Sequence, residues 1–284
     1  MNHPSCKVLV CCHKPDVFAT QDPFYPIHVG KAISQVDLGI LGDDTGDNIS
    51  SKNGSYCELT GLYWAWKNLK NVSVIGLCHY RRYFDFYSQG RHGFPYTSFK
   101  TSQFQDLKLD IPESVLEQVN EGAVVMAKSE NFRHSLFQDY CECHISDDIR
   151  TLNIIVQATQ SQEFKDAFFK VIYQGNHLRH YNMFLMNWES FDRYCSWLFP
   201  LLEEAEKSID ISHYNPTQKR IFGYMSERLI NVWVEATHCK IIEKPVLWFN
   251  DKEDRLSQYP LFRYRLRVLV NNIAHFFSKP RNPQ

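Results

Sequence analysis

Two adjacent arginines stand among aromatic side chains in the segment GLCHYRRYFDF, residues 76–86. The apolar run VSVIGLC, residues 72–78, predicts a buried strand that ends at this segment. In open α/β sheets, ligands bind beyond the carboxyl ends of the strands. Guanidinium groups bind phosphate oxygens through paired hydrogen bonds, and neighbouring rings can stack or donate hydrogen bonds. We therefore predict that a diphosphate is bound by His79, Tyr80, Arg81 and Arg82.

The two arginines need not share this role, because either could form an ion pair with a surface acid. Adjacent side chains of an extended chain point in different directions. We therefore expect one arginine to face the ligand and the other to have a structural role. A second apolar run, CKVLVCC at residues 6–12, predicts a strand that leads into a loop. The first residues of that loop, His13 and Lys14, are assigned to the same ligand.

A polar loop precedes the most aromatic helix of the chain, in the stretch DDTGDNISSKNGSYCELTGLYWAWKN at residues 43–68. Apolar side chains recur at helical spacing over residues 56–69, which predicts an amphipathic helix. The loop is either a solvated turn that caps this helix or a surface that offers hydrogen-bond acceptors to the hydroxyls of a sugar. We favour the second interpretation and assign Trp66 to the core. The predicted ligand contacts are Asp43, Asp44, Asp47, Asn48, Tyr63 and Trp64.

Charge and motif content argue against several common functions. The formal net charge of −1 gives no support for a general role in nucleic-acid binding. The glycine-rich dinucleotide signature, the P-loop and the G-x-S-x-G motif are all absent. The acidic loop is not an EF-hand, because Gly54 stands where the closing glutamate would be. The cluster Cys141, Cys143, His144 lacks a fourth zinc ligand, and nine irregularly spaced cysteines are typical of a reduced protein with buried thiols.

Strand-like and helix-like patterns alternate along the chain. This alternation predicts an α/β fold with a mostly parallel central sheet flanked by helices. We predict one domain, residues 1–260, followed by a helical tail, residues 261–284. Pro200 is expected to kink its helix, and Asn215 followed by Pro216 predicts a helix start. The predicted strands are residues 6–12, 36–41, 72–78, 123–127, 182–187 and 240–249, and the predicted helices include residues 56–69, 145–173 and 189–207.

Four long motifs carry a family resemblance: GDDTGDNIS…YCELTGLYWAWKN, IGLCHYRRYF, NMFLMN…F…YC.WLF and QKRIFGYMSERLINVW. Together they resemble the bacterial capsular-polysaccharide glycosyltransferase family long catalogued as a domain of unknown function, from about Lys7 to Trp248. The resemblance implies a GT-A-like, Rossmann-like fold with a nucleotide-sugar half and an acceptor half. It also implies transfer of a sugar onto a growing capsule or O-antigen glycan. Some relatives in this family transfer galactofuranose from its UDP donor.

The chain departs from the usual GT-A pattern at one point. A typical GT-A enzyme ends the corresponding strand with Asp-x-Asp, whose carboxylates hold a divalent metal on the diphosphate, whereas this sequence reads CHYRRYF. The negative charge of a leaving nucleoside diphosphate can be neutralised by a metal or by fixed arginines. We therefore predict transfer without a cofactor. If Mn²⁺ or Mg²⁺ is bound, the expected ligands are Asp43, Asp44 and Asp47.

The resemblance also indicates where a catalytic base would lie. In GT-A enzymes the base often stands at the start of a late helix, after a strand resembling NMFLMN, and FGYMSERL occupies that place. Inverting transfer needs a carboxylate or an imidazole to take the proton of the acceptor hydroxyl. The alternative for a carboxylate here is an ion pair within its helix. Glu227 is the leading candidate, followed by His144 and Asp147, and the acceptor side is assigned His180 and Asn182.

The tail is basic and partly apolar. From Leu261 onward the chain has five basic residues and no acid, and these alternate with valines, leucines and phenylalanines. Such a pattern is typical of an amphipathic helix on an anionic membrane surface. A terminal helix docked on the protein body is the alternative. The basic residues are Arg263, Arg265, Arg267, Lys279 and Arg281.

From these patterns we predict a glycosyltransferase that uses a nucleotide sugar, with a UDP-sugar as the first choice. We expect it in the cytoplasm, peripheral at the inner face of the bacterial inner membrane. Its expected partners are the donor, a glycan or lipid-linked oligosaccharide acceptor and the anionic membrane, with no nucleic acid, while homo-oligomer formation is left open. The alternative is a catalytically inert glycan-binding scaffold in a polysaccharide-assembly complex.

Overall fold

The computed structural model of the chain describes residues 5–252 and 259–278. Short 3-10 helices occupy Lys31–Ile33, Ser50–Lys52, Thr101–Asp106 and Gln218–Arg220, and a π-helix occupies Phe169–Tyr173. The strands are β1 (Cys6–Cys12), β2 (Phe24–His28), β3 (Val74–His79), β4 (Arg82–Phe84), β5 (Tyr96–Phe99), β6 (Val124–Ala127), β7 (Glu130–Asn131), β8 (His177–Leu178), β9 (Phe184–Asn187), β10 (Ile241–Lys244) and β11 (Val246–Phe249). The α-helices are α1 (Asn53–Tyr56), α2 (Leu59–Asn68), α3 (Glu113–Asn120), α4 (Leu136–Cys143), α5 (Ser146–Thr159), α6 (Gln162–Phe168), α7 (Trp188–Ser208), α8 (Ile221–Thr237) and α9 (Leu261–Ser278).

A single mixed sheet runs through the centre of the domain. Its main part has the order β2-β1-β3-β9-β6-β10, in which β9 is antiparallel to both of its neighbours. A second part, β4-β11-β5, joins at the carboxyl end of β3. The sheet is therefore less parallel than the alternation of strands and helices predicts, because β9 and the β3–β4 hairpin reverse the chain direction.

Both faces of the sheet are buried, which explains why the central strands read as continuous apolar runs. Alternate residues of β1 point to opposite faces, so that Leu9 and Cys11 pack on one side and Val8 and Val10 on the other. The first side is covered by α2, α5, α7 and α8. The second side packs against α3 and against rings from β4 and β11, which include Tyr83 and Phe249.

Most predicted elements form where the apolar pattern places them. The strands at 6–12, 72–78, 123–127 and 182–187 correspond to β1, β3, β6 and β9. The helical segment 145–173 forms as α5, α6 and the π-helix, and 56–69 forms mainly as α2. The predicted strand at 36–41 is wrong, because that segment is irregular, and the isolated bridge to His28 is formed by Gly42, just after it.

Three further predictions involve segments with prolines. Helix α7 continues through Pro200 as one helix of 21 residues, and the kink expected there stays a prediction. Asn215 caps a turn rather than α8, because its Oδ1 accepts hydrogen bonds from the backbone N–H groups of Thr217 and Gln218 at 3.0 and 2.9 Å. Pro245 divides the predicted strand 240–249 into β10 and β11, which pair with different parts of the sheet. Within the described ranges, no helix is long and apolar enough to cross a membrane.

Candidate active site

A cavity of about 650 Å³ opens beyond the carboxyl ends of β1 and β3. Its wall also includes the α1–α2 junction, the residues before β9, the first turns of α8 and the end of β11. This is the edge at which an α/β sheet is expected to bind a ligand. Among the residues predicted from the sequence, it brings together His13, His79, Tyr80, Arg81, Arg82, Asn182 and Glu227.

The β3–β4 hairpin separates the two arginines. His79 pairs with Arg82 across the hairpin, so Tyr80 and Arg81 form its two-residue turn. The Arg81 guanidinium binds Asp16 twice, with Nη2 at 2.6 Å and Nε at 2.8 Å from the same carboxylate oxygen. Arg81 is thus anchored to the loop after β1, as expected for the arginine with a structural role.

Arg82 has a different environment. Strand register sets it directly opposite Trp248 in β11, and its guanidinium carbon lies 5.1 Å from that ring and 4.6 Å from the ring of Tyr181. Its Nε is buried without a hydrogen-bond partner, and no carboxylate of the described residues forms an ion pair with it. A half-buried cation beside two rings, with an Nε donor that has no partner, is suited to an incoming anion.

Further basic residues lie in the cavity wall or beside it. Arg220, just before α8, lies in the wall, and its Nε donates to the Cys57 sulfur at 3.3 Å rather than to a carboxylate. His13 packs edge-on against Tyr80, with ring centroids 5.3 Å apart. Desolvation and the neighbouring cations, Lys14 first among them, lower the pKa of His13. Lys14 itself lies over the Tyr80 ring at 6.0 Å, beside the cavity rather than in its lining.

A carboxylate faces these cations from the α1–α2 junction. Glu58 lines the cavity, and its Oε1 accepts a hydrogen bond of 2.7 Å from Asn182 Nδ2. Asn182 is itself fixed, because its Nδ2 also donates to the Gly223 carbonyl and its Oδ1 accepts from Ser226. The Glu58 carboxylate is therefore held in position by a neutral group, which leaves its negative charge uncompensated by that contact.

The backbone is turned sharply where these groups meet. Cys57, Tyr181 and Asn182 have positive φ angles of 53°, 76° and 52°. Non-glycine residues in this region carry strain, and such positions cluster at functional sites. The Tyr181 carbonyl accepts from His79 Nε2 at 2.7 Å, and burial lowers the pKa of His79. The contact with the carbonyl places a proton on Nε2, and in the neutral ring that the lowered pKa favours near neutral pH, Nδ1 is an acceptor.

Glu227 lines the same cavity but is engaged by the protein. Its Oε1 accepts the Tyr181 N–H at 2.6 Å, and its Oε2 lies 3.8 Å from His180 Nδ1 and 3.9 Å from an Arg228 nitrogen. Burial opposes its charge, but the nearby His180 and Arg228, together with the hydrogen bond from the Tyr181 N–H, lower the pKa of Glu227 to about 2. Because a carboxylate with so low a pKa is a weak proton acceptor near neutral pH, the geometry favours a positioning role over the predicted role of base.

The other predicted catalytic and acceptor residues lie outside the cavity lining. His180 pairs with Glu227 and lies 4.0 Å from Glu130, and the Glu227 charge raises its pKa although burial lowers it. His144 stacks on Tyr224 at 4.1 Å. Asp147 is exposed and pairs with Arg150 at 3.1 Å. Tyr224 does line the cavity, so His144 supports the wall from behind.

The acidic loop also lies away from the cavity. Asp43 is fully buried and accepts hydrogen bonds from the backbone N–H groups of Gly30 and Lys31, at 2.9 and 3.1 Å, and from Ser50. The exposed Asp47 accepts from Tyr63, and Trp64 is buried with its Nε1 bonded to Thr45 at 2.9 Å. The Asn48 side chain accepts a hydrogen bond from the Ser50 N–H within the loop, and Asp44 is exposed. None of the six predicted ligand contacts from this segment therefore lines the cavity.

The acidic loop does not fit a divalent metal either. The carboxylate of Asp43 is already taken by its hydrogen bonds, and that of Asp47 accepts from Tyr63. Over the described ranges 5–252 and 259–278, no group of three or more His, Cys, Asp or Glu side chains is arranged to hold a metal ion.

Sequence reasoning missed Glu58, Arg220, Tyr181 and Trp248. Glu58 lies inside the motif YCELTGLYWAWKN but carried no signal beyond its position before an aromatic helix. Trp248 lies far from the other residues in sequence, and only the pairing of β11 with β4 brings it to Arg82. Arg220 lies in the QKR segment at the start of the motif QKRIFGYMSERLINVW, and it is the residue of that segment that lines the cavity.

Comparison with known proteins agrees with this architecture. The chain is similar to an apo structure of the bifunctional glycosyltransferase WbbM, with a TM-score of 0.73 and 27% sequence identity. The match covers 87% of this chain and 46% of that one, so this chain spans about half the length of WbbM. The search of curated protein sequences found no significant match. Residues 7–238 match the family described as Domain of unknown function (DUF4422). The chain therefore belongs to this family and has its α/β, GT-A-like glycosyltransferase fold, which confirms the resemblance found in its motifs.

Proposed function

We propose that the protein is a glycosyltransferase that moves a hexosyl group from a nucleotide sugar to a hydroxyl of a growing glycan. The observation that carries this proposal is the composition of one cavity. Arg82 and Arg220 offer positive charge not paired to a described carboxylate, while Glu58 stands in the same wall. A diphosphate leaving group needs the cations, and an acceptor hydroxyl needs the carboxylate. The similarity to WbbM supports the same reaction class.

In the proposed reaction the acceptor oxygen attacks the anomeric carbon of the donor. The bond from that carbon to the diphosphate oxygen breaks, and the electron pair leaves with the diphosphate. Arg82 and Arg220 stabilise the charge that develops there, and the Trp248 and Tyr181 rings hold Arg82 in place. Glu58 takes the proton of the acceptor hydroxyl, with Asn182 fixing the orientation of its carboxylate.

Donor and acceptor are assigned by chemistry and by family. We propose a UDP-sugar as donor, with UDP-galactofuranose as the first candidate because the family resemblance implies it for some relatives. The proposed acceptor is a capsule or O-antigen glycan, free or lipid-linked, at the inner face of the inner membrane. With arginines at the diphosphate, we expect transfer without an added metal.

The decisive experiment is a donor panel without acceptor. A glycosyltransferase releases some sugar to water, so slow formation of UDP from one UDP-sugar is expected, with tighter binding of that donor than of GDP-mannose. Release that persists in EDTA supports the arginine mechanism, whereas loss in EDTA with rescue by Mn²⁺ contradicts it. If no nucleotide sugar is bound or hydrolysed, transferase activity is ruled out and the glycan-binding scaffold becomes the better hypothesis.

A further inference from the structure

Helix α9 contacts the rest of the protein through its polar side. Asn272 Oδ1 accepts hydrogen bonds from Asn131 and Asn176 at 3.1 and 3.0 Å. His275 is buried and lies 2.8 Å from the Gln174 carbonyl, to which its Nε2 donates. The Tyr264 ring stacks on Phe94 with centroids 4.7 Å apart. These contacts fix the rotation of the helix about its own axis.

The opposite side of α9 is apolar and faces solvent. Seven large side chains lie on it, with exposed fractions from 49% to 82%. At 100° per residue these positions span about 120° of the helix surface. A surface helix of a globular protein normally buries its apolar side, so this arrangement is inverted. The outward face consists of Phe262, Leu266, Leu269, Val270, Ile273, Phe276 and Phe277.

Positive charge flanks this outward face. Arg263 and Arg265 are exposed and lie about 80° to either side of its centre, and Arg267 lies further round on the Arg263 side. Helix α9 contains no acid. Lys279 and Arg281 lie outside the described residues. An apolar stripe bordered by arginines matches a bilayer, because the apolar chains enter the acyl region while the cations meet anionic headgroups.

The same charges argue against a second copy of the chain as the occupant. In a two-fold dimer each face meets its own equivalent, so the arginine borders of two α9 helices would approach each other. Neither helix offers a carboxylate to neutralise them. An anionic lipid surface supplies the opposite charge along the whole border.

We propose that the outward face of α9 binds an anionic lipid bilayer, with the helix lying in the plane of the membrane surface. The polar contacts to Asn131, Asn176 and Gln174 then hold the domain in one orientation relative to the bilayer. This inference does not depend on the proposed activity, since it rests on α9 alone.

The test is sedimentation of the full chain with vesicles of phosphatidylcholine, with and without phosphatidylglycerol. The wild-type protein is expected to bind the anionic vesicles. The double variant F276S/F277S should bind at least about tenfold more weakly, because each phenylalanine loses its burial in the acyl region. Ile154→Ser is the matched control, since Ile154 is 66% exposed on α5 and belongs to no such face; its binding should be unchanged.

A second double variant tests the proposal if circular dichroism shows that F276S/F277S folds poorly. R263Q/R265Q should weaken binding to anionic vesicles by about fivefold per arginine and should reduce its salt dependence. The proposal is overturned if the wild-type protein binds neither type of vesicle. It is also overturned by a wild-type dimer that F276S/F277S converts to monomer without any effect on vesicle binding, because the occupant would then be a second copy.

Discussion

In the sequence, the acidic loop at residues 43–48 and the basic segment at residues 79–82 both suggested a ligand-binding site. In the fold, the two segments differ in how far the protein itself satisfies their charged side chains. In the loop, Asp43 has three hydrogen-bond donors from the protein and no exposure. In the basic segment, Arg82 keeps a buried Nε without any partner. Buried polar groups are normally satisfied, so a group left unsatisfied in a cavity indicates where an external partner belongs.

The same distinction separates the two carboxylates of the cavity. Glu227 is matched by a backbone N–H, by His180 and by Arg228. Glu58 has one neutral donor, Asn182. A carboxylate that already has ion pairs within the protein stabilises the fold, whereas one without an ion pair remains available for chemistry. Four substitutions test this contrast, in order of decreasing expected effect.

Glu58→Gln should have the largest effect. The amide keeps the shape and the contact with Asn182 but cannot accept a proton, so turnover should fall by about 10²- to 10⁴-fold with donor affinity nearly unchanged. Steady-state kinetics with the donor found in the panel measures both quantities. Near-normal turnover in a folded E58Q protein would remove Glu58 from the role of base.

Arg82→Ala should lower kcat by about 10²- to 10³-fold, because a fixed donor to the developing charge is lost. Arg193→Ala, which removes an exposed arginine on α7, is the matched control and should leave kinetics unchanged. Equal effects of the two substitutions would mean that Arg82 acts only through general charge.

Glu227→Gln should act mainly on stability. The pKa of Glu227 is lowered from 4.5 to about 2, so its ionised form stabilises the fold above pH 4.5, and this contribution is lost as the pH falls towards 2. The raised pKa of His180 makes its contribution complete below pH 6.5 and lost as the pH rises above that. The difference in unfolding free energy between wild type and E227Q should be on the order of 2–3 kcal/mol at pH 5–6 and shrink in acid.

Urea unfolding at several pH values measures this difference. A specific turnover defect in E227Q, with unchanged stability at pH 6, would instead restore Glu227 as the base. A stability difference that persists unchanged down to pH 3 would contradict the lowered pKa.

Asp43→Asn should have the smallest effect, a loss of about 1–3 kcal/mol of stability, because the buried charge is replaced by a weaker acceptor for Gly30, Lys31 and Ser50. Asp47→Asn, at an exposed position of the same loop, should change stability by less than about 0.5 kcal/mol. Neither should alter donor KM. A raised KM in both variants would indicate that the loop does bind the donor, and the contrast between the two segments would then be wrong.

The sequence predicts the fold well for strands that are buried on both faces of the sheet. Strands β1, β3, β6 and β9 are buried on both faces, so their apolar runs are unmistakable. Strand β2 was missed because FYPIH is short and contains a proline. The sheet order could not be read from apolar pattern, since the antiparallel insertion of β9 depends on pairings between distant segments.

The site is only partly predictable for a related reason. The cluster from His79 to Arg82 is contiguous and follows a strand, and its location at a cavity follows from general rules of α/β sheets. Whether a carboxylate is free or matched depends on neighbours that are remote in sequence. Glu227 is matched by His180, and Asp43 by Gly30 and Lys31, so their side chains could not be told apart from Glu58 by type or spacing alone.

The pairing of β11 with β4 has a consequence for the way the protein is made. Because Trp248 is one of the two rings beside Arg82, the Arg82 side of the cavity is incomplete until β11 has left the ribosome and joined the sheet. Domains fold from the N-terminal side during synthesis, so the segments from β1 to α8 can collapse while this place in the sheet is still vacant. A nascent chain that stops before Val246 would therefore lack the Trp248 ring beside Arg82.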